Sequence, residues 1–265
     1  MNSVSIIIPT FNREKELNTC LENLYKNNIS NIEIIVTNDN KLKDISVENR
    51  IKYSSVKFVS GPGKGPSANR NFGAKMSNGN WLIFLDDDCI PQQNWLSNYI
   101  IEIDKNQAVI LEGKTIADRE KQRFDEVSPI NLFGGKLWSC NFAIRKDFFI
   151  ELNGFDECYP YSTMEDIDFS ERAKMKTSFV FLSNCVVVHP WRRRQAFKNF
   201  YVRIKSQQYF AQKFKIKNTP KFKVQRLKIF ISSIFSNLKE LCQFKFKGWA
   251  CYFDKMLFNF FMLFI

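Results

Sequence analysis

Apolar positions along the chain fall into short runs separated by polar, periodic stretches, and the two textures alternate. Residues 4–8 (Val-Ser-Ile-Ile-Ile) form a β-branched run closed by Pro9, the pattern of a buried parallel strand. Leu17, Cys20, Leu21 and Leu24 then recur at i, i+3, i+4 and i+7, one face of an amphipathic helix. Strands are predicted again over 32–36, 56–59 and 81–85, with the turn Gly61-Pro62-Gly63-Lys64-Gly65-Pro66 after the second of these. A helix over 67–77 is expected to stop at Asn78-Gly79, with Gly79 as the left-handed residue past its end. Residues 105–128 are less regular and rich in charge, and read as a strand over 109–112 followed by a mobile loop. A further strand over 137–144 and a helix over 166–176 follow. This alternation predicts an α/β fold with a doubly wound, mostly parallel sheet. Such sheets bind ligands outside the carboxyl ends of their strands. After Trp191 basic and aromatic residues interleave, Thr219-Pro220 breaks a helix, and 228–265 is crowded with Phe. The expected division is a domain over 1–192 and a helical, basic and Phe-rich extension over 193–265.

Composition changes this picture little, but charge changes it more. With 265 residues, 45% hydrophobic and 25% charged, the chain can bury a core and is not disordered. The longest apolar run, from Met256 to Ile265, is ten residues, is broken by Asn259 and is too short to cross a bilayer. The start carries no basic region followed by an apolar one, so no signal peptide is expected and the chain reads as made and kept in the cytosol. Thirteen of the 39 Lys and Arg lie between Trp191 and Lys228, with no Asp or Glu among them; the remaining 26 nearly balance 27 acids. A near-neutral body thus carries one strongly basic segment suited to a polyanion: nucleic acid, an acidic polymer or an anionic membrane surface. The seven cysteines contain no Cys-x-x-Cys pair, and there is one histidine, so reduced buried thiols are expected rather than a disulfide framework or a structural zinc site.

Three acidic or ligand-bearing spots stand out. Asp86-Asp87-Asp88 ends an apolar strand, where three adjacent carboxylates suit either a hard divalent cation bridged to phosphate or a solvated strand-end turn. Glu165-Asp166, with Asp168 following, opens a predicted helix, as caps and dipole partners or as a general base aimed at the same cleft. His189 follows Val186-Val187-Val188 at a strand end, as a hydrogen-bonded structural residue or as a neutral imidazole completing a metal shell.

In combination, these spots and their neighbours resemble glycosyltransferase family 2, which has the GT-A fold. Val4-Ser5-Ile6-Ile7-Ile8-Pro9-Thr10-Phe11-Asn12-Arg13 is similar to the family's opening signature. Glu33-Ile34-Ile35-Val36 leads to an acidic residue, and Ala68-Asn69-Arg70-Asn71-Phe72-Gly73 opens a helix. Phe84-Leu85-Asp86-Asp87-Asp88 matches the Asp-x-Asp metal signature. Asn153-Gly154-Phe155-Asp156-Glu157 precedes Glu165-Asp166-Ile167-Asp168-Phe169, and His189-Pro190 comes last. The resemblance covers roughly residues 3–192. Two positions depart from it: Asn38-Asp39-Asn40-Lys41 stands where Asp-Asp-Gly-Ser is usual, and Cys140 stands where a small Gly or Ala is common.

The resemblance implies a Rossmann-like nucleotide-binding half and a metal-dependent, inverting transferase that uses a nucleotide-diphosphate sugar with uracil or thymine as its base. Pro9, Thr10 and Phe11 are then expected at the base, Asp39 as acceptor from the base N–H, and Arg70 at the diphosphate. Asp86 and Asp87 are expected to touch the nucleotide sugar, and Asp88 and His189 to ligate Mn²⁺ or Mg²⁺. Asp166 is the expected base for the acceptor hydroxyl, with Glu165 orienting it. Gly134-Gly135 reads as a turn or a close approach to substrate, and Trp138 as a stacking platform or a core residue. Richness in Lys, Asn and Ile points to an AT-rich bacterial genome and to surface-glycan assembly. The basic, aromatic tail then suits a peripheral position on the inner face of the cytoplasmic membrane beside a lipid-linked acceptor. The alternatives are a nucleotidyltransferase and a non-catalytic nucleic-acid-binding module; the acidic cleft speaks against the second, so no nucleic acid is expected as partner.

Overall fold

The β-branched opening forms β1 (Val4–Thr10), which is buried along its whole length. Pro9 does not close it. Pairing with the strand on one side ends at Ile7, so Pro9 meets a single neighbour, where a missing N–H is tolerated. The computed structural model describes residues 2–27, 29, 31–40, 45–159, 164–216 and 219–265; Lys41 and Lys217 of the motifs above lie outside the described residues. Two compact units form, one from Met1–Asp118, Pro129–Cys158 and Glu165–Pro190, the other from Arg119–Ser128, Tyr159–Met164 and Trp191–Ile265.

In the first unit β1 is followed by α1 (Glu14–Tyr25), β2 (Glu33–Asn38), α2 (Val47–Lys52), β3 (Val56–Ser60), α3 (Pro66–Met76) and β4 (Trp81–Leu85). Then come β5 (Ile90–Pro91), α4 (Trp95–Lys105) and β6 (Ile110–Ile116). After the second unit's β7 (Glu126–Val127) the first continues with β8 (Asn141–Arg145), α5 (Lys146–Glu151), α6 (Glu165–Lys174) and β9 (Val180–Val188). The sheet order is β3-β2-β1-β4-β8-β6-β9-β5. β3, β2, β1 and β4 run parallel, β8 is antiparallel to both β4 and β6, β6 and β9 are parallel, and β5 is antiparallel to β9. The sheet is therefore mixed and mostly parallel.

Alternation along the strands sends apolar side chains to both faces. Ile6, Ile8, Val36, Ile83 and Leu85 join Leu17, Leu21, Trp95 and Tyr99 in one core layer, which α1 and α4 cover. Ile7, Ile35, Leu82 and Phe84 join Ala74, Phe149, Phe169 and Ala173 in the other, under α3, α5 and α6. The sheet is doubly wound, as the alternation of the sequence implies.

Differences from the sequence reading have local causes. The helix α3 ends on Ser77 in an extended conformation, and Gly79 is not left-handed. A Cβ on Gly79 would stand 2.6 Å from Ser5 Oγ and 2.7 Å from Ser5 N, so the glycine admits a close approach to β1. The strand expected over 137–144 begins only at Asn141, because Leu137 takes a left-handed φ of 44° and gives its N–H to Glu112. The strand expected over 109–112 runs on to Ile116 as β6. Helices α2, α4 and α5 carry no helical reading from the sequence; α4 opens at a left-handed Asn94 whose side chain caps nothing, leaving no start signal.

The second unit pairs β7 with β10 (Arg192–Arg193) in antiparallel fashion and adds α7 (Phe200–Lys213), α8 (Pro220–Gln243) and α9 (Trp249–Phe261). Its core holds Phe124, Leu241, Cys251 and Tyr252. The loop expected to be mobile is instead organised by Glu126, which takes Arg119 Nη2 at 2.7 Å and the Gln122 N–H at 2.8 Å. Asp254 has no exposed surface; Arg203 donates to it at 2.5 Å, the Phe197 N–H at 3.1 Å, and Arg194 donates to its other oxygen. Two cations of the basic run are thus consumed inside the unit. All seven cysteines are free thiols, but only five are buried as expected; Cys158 and Cys242 are exposed. Among the described residues, no helix is long and apolar enough to cross a membrane.

Candidate active site

The carboxyl end of β4 runs into Asp86-Asp87-Asp88, and no two of the three carboxylates have the same set of partners. Asp86 accepts from Arg70 Nη2 at 2.7 Å. Asp87 is buried and accepts from Thr10 Oγ1 at 2.8 Å and Arg13 Nη1 at 3.1 Å, which ties the turn to the end of β1. Asp88 lies 3.5 Å from the same Arg13 nitrogen and 3.4 Å from His189 Nε2. Arg13 thus bridges two members of the triplet, a role that the sequence reading did not assign.

A second acidic group stands on the other side of Arg70. Helix α6 opens with Glu165 and Asp166, and Glu165 Oε1 is 3.7 Å from Arg70 Nη1. One buried guanidinium therefore serves Asp86, Glu165 and Asp166, with the Phe155 ring 5.6 Å from it. Burial opposes the Arg70 charge, but Asp86, Asp166 and Glu165 outweigh it and raise the Arg70 pKa. Asp166 is pushed up to about 7, first by burial and then by Glu165; Arg70 pulls it back, Asp86 adds to the rise and a Ser139 hydrogen bond lowers it. Its Oδ1 is sealed from solvent without a hydrogen-bond partner, as are Nε and Nη1 of Arg70. Among the described residues, three acids thus share the one guanidinium of Arg70. Ser139 escapes sequence reading because it lies outside the acidic motifs.

His189 directly follows β9 and is buried. Its Nδ1 is 3.0 Å from the Pro190 carbonyl, which can only accept, so Nδ1 donates there and Nε2 is turned to Asp88 Oδ1 at 3.4 Å. A carboxylate oxygen and an imidazole nitrogen this close form a donor pair that suits a divalent metal such as Mn²⁺. Cys89 Sγ falls within 4.8 Å of the same ligand atoms, but burial first, with Cys140 and nearby charge, pushes its thiol well up and keeps it neutral. Asp88 and His189 fit the metal.

The remaining expected residues line the ends of β1 and β2. Pro9 is buried in β1, and Phe11 just beyond it exposes 56% of its surface. Asp39 turns to the glycine-rich turn, accepting the N–H of Gly63 at 2.6 Å and of Gly65 at 2.7 Å, one on each oxygen. Asp168 faces away from the acids, with Arg172 Nε at 2.6 Å. Glu112, which no motif flags, accepts the N–H groups of Gly135, Lys136 and Leu137 at 2.6–2.7 Å and so fixes the loop leading to Ser139.

Residues 5–165 match the family model described as Glycosyl transferase family 2. The chain belongs to glycosyl transferase family 2. An uncharacterized glycosyltransferase of Haemophilus influenzae is 29% identical over 192 residues, covering 66% of this chain and 63% of that protein. The GalNAc(5)-diNAcBac-PP-undecaprenol beta-1,3-glucosyltransferase of Campylobacter jejuni is 29% identical over 182 residues, covering 64% and 56%. This family 2 chain thus spans less than two thirds of the length of these relatives. Among solved structures, S. aureus TarS 1–349 in complex with UDP-GlcNAc superimposes with a TM-score of 0.61 at 21% identity, covering 79% of this chain and 65% of that one. GalNAc-T7 with UDP, GalNAc and Mn²⁺ gives 0.61 at 18% identity, covering 74% and 44%. These likenesses are in fold, and the fold of this family 2 chain is GT-A.

Proposed function

We propose that this chain is a metal-dependent, inverting glycosyltransferase, moving a sugar from a UDP- or dTDP-sugar to a hydroxyl of a lipid-linked glycan in bacterial surface-glycan assembly. The observation that carries the reading is the proximity of two metal-ligating groups, Asp88 and His189, together with an acid-rich group around Arg70 that leaves Asp166 pushed up to about 7. A general base works best near the operating pH, and an ordinary exposed aspartate would be too weak. In this reading Asp166 takes the proton of the attacking acceptor hydroxyl, and Glu165 beside it keeps its affinity for that proton high. Arg70 faces the diphosphate as charge grows on the leaving oxygen. A divalent cation held by Asp88 and His189 would supply further neutralisation of that charge. Asp87, held by Thr10 and Arg13, fixes the turn that presents Asp86 and Asp88 to the donor. Pro9 and the exposed Phe11 ring offer a surface for the base, and Asp39 a carboxylate at its edge. Direct displacement inverts the anomeric centre.

The UDP-GlcNAc in the TarS complex supports a uridine donor, and the undecaprenol-linked substrate in the name of the Campylobacter relative supports a lipid-linked acceptor. Such an acceptor favours a peripheral position on the inner face of the cytoplasmic membrane. Calorimetric titration of UDP, dTDP, GDP and CMP, with and without Mn²⁺, against wild type and Asp88→Ala tests the reading. Mn²⁺-dependent binding of UDP or dTDP that the substitution removes is expected; binding of none of them would refute it.

A further inference from the structure

The second unit carries an apolar surface that its own core leaves uncovered. Helices α8 and α9 form an antiparallel hairpin. Phe230 meets Phe260, the Asn259 side chain donates to Ser233 Oγ at 3.2 Å, and Lys255 Nζ donates to Asn237 at 2.8 Å. Leu241 and Tyr252 share the core beneath. At 100° per residue, the α8 positions facing α9 (230, 233, 237, 241) define one side of that helix. Val224, Leu227, Ile231, Phe235 and Leu238, all exposed, recur along a second stripe about 120° clockwise from it, viewed from the amino end. On α9 the exposed Trp249, Phe253 and Leu257 form a stripe displaced by about 140° in the same rotational sense from Lys255 and Asn259. Because the helices are antiparallel, equal senses of rotation bring both stripes to the same side of the hairpin. Its two helices therefore present one continuous apolar face.

Charge selects what covers this face. From Pro220 to Ile265 there are eight Lys or Arg and two acids. Both acids are already engaged: Glu240 with Lys121 at 2.7 Å, and Asp254 in its buried cluster with Arg194 and Arg203. Exposed Lys228 and Lys239 fall about 40–60° from Val224 around α8, along the margin of its stripe, and exposed Lys245 and Lys247 lie in the turn between the helices. Apolar side chains rimmed by lysines, with no exposed carboxylate, match the interface of an anionic bilayer, where the lysines meet head groups and the rings enter the acyl boundary. We infer that the α8–α9 hairpin is the element that docks this protein on anionic phospholipid, lying flat in the interface. This deepens the peripheral placement proposed above and does not depend on the nucleotide site.

The test is flotation of the full chain with vesicles of phosphatidylcholine alone and of phosphatidylcholine mixed with phosphatidylglycerol, at low and high salt. Wild type is expected to float with the anionic vesicles and to be released by salt. Phe235→Glu/Phe253→Glu is expected to lower partitioning about a hundredfold, the loss of two buried rings. Lys228→Ala/Lys239→Ala, which leaves the apolar face intact, is expected to lower it about 25-fold on anionic vesicles only. Equal binding to both vesicle types, or wild-type partitioning by the lysine variant, would overturn the inference. So would a lipid-free dimer that the Phe variant disperses, which would make the face a contact between two copies. UDP titration of each variant separates the two proposals: lost flotation in wild type with nucleotide binding intact would refute the docking alone, and the converse would refute the transferase alone.

Discussion

Two buried aspartates in this molecule sit beside arginine, and their settings are opposite. Asp254, in the second unit, has Arg194, Arg203 and the Phe197 N–H around it, so cations exceed acids and both oxygens are served. Asp166, in the first, shares Arg70 with Asp86 and Glu165, so among the described residues three acids lie around one cation, and Asp166 Oδ1 has no hydrogen-bond partner. A carboxylate surrounded by donors ties distant segments together and serves the fold. One that is crowded by other acids is held ready to take a proton, at some cost in stability.

The largest effect expected from breaking this contrast is on turnover. Asp166→Asn should lower kcat about 10²–10⁴-fold while UDP binding by calorimetry stays near wild type; a kcat within threefold of wild type, about 0.7 kcal/mol, would remove Asp166 from the chemistry. Next in size, Asp254→Ala leaves the half-buried guanidiniums of Arg194 and Arg203 without this carboxylate and should lower unfolding stability in urea by about 3 kcal/mol. An unchanged midpoint would show that the cluster is not structural.

The pH dependence sharpens the comparison. The Asp166 carboxyl is raised on folding, so between the ordinary aspartate value, about 3.9, and about 7 the folded chain holds a proton that the unfolded chain has lost. Stability contributed this way is fully present below the lower value and is lost as pH rises through the upper one. Asp166→Asn should therefore lack that decline and melt above wild type at alkaline pH. Turnover of wild type should fall about tenfold per pH unit below 7 as the base becomes protonated. The smallest effect is expected at Thr10→Val, which removes one hydrogen bond to Asp87 and should cost about 1 kcal/mol of stability, read by urea denaturation.

Much of the first unit is legible in the chain because its central strands β1 and β4 are buried on both faces and its helix α1 repeats Leu17, Cys20, Leu21 and Leu24 at helical spacing. What escapes is set by tertiary partners. Helix α4 has no capping side chain to announce it, although Trp95, Leu96, Tyr99 and Ile103 bury one face. Gly79 reads as a helix stop, yet its place depends on Ser5, which is distant in sequence. In the site, the acids and His189 are legible as candidates, but which of them share Arg70 depends on α3, β4 and α6 converging. Asp39 shows the same limit, since its hold on Gly63 and Gly65 is visible only in three dimensions. Nothing in the sequence marks Asp254 as the anchor of the basic run, for its arginines lie 60 and 51 residues away.

The most direct test of the contrast is a potentiometric difference titration of wild type against Asp166→Asn in the absence of nucleotide. The account predicts that wild type releases one additional proton centred near pH 7. Release centred near the ordinary aspartate value, about 3.9, would show that Arg70 satisfies Asp166 fully and that the acid excess at this site does not exist.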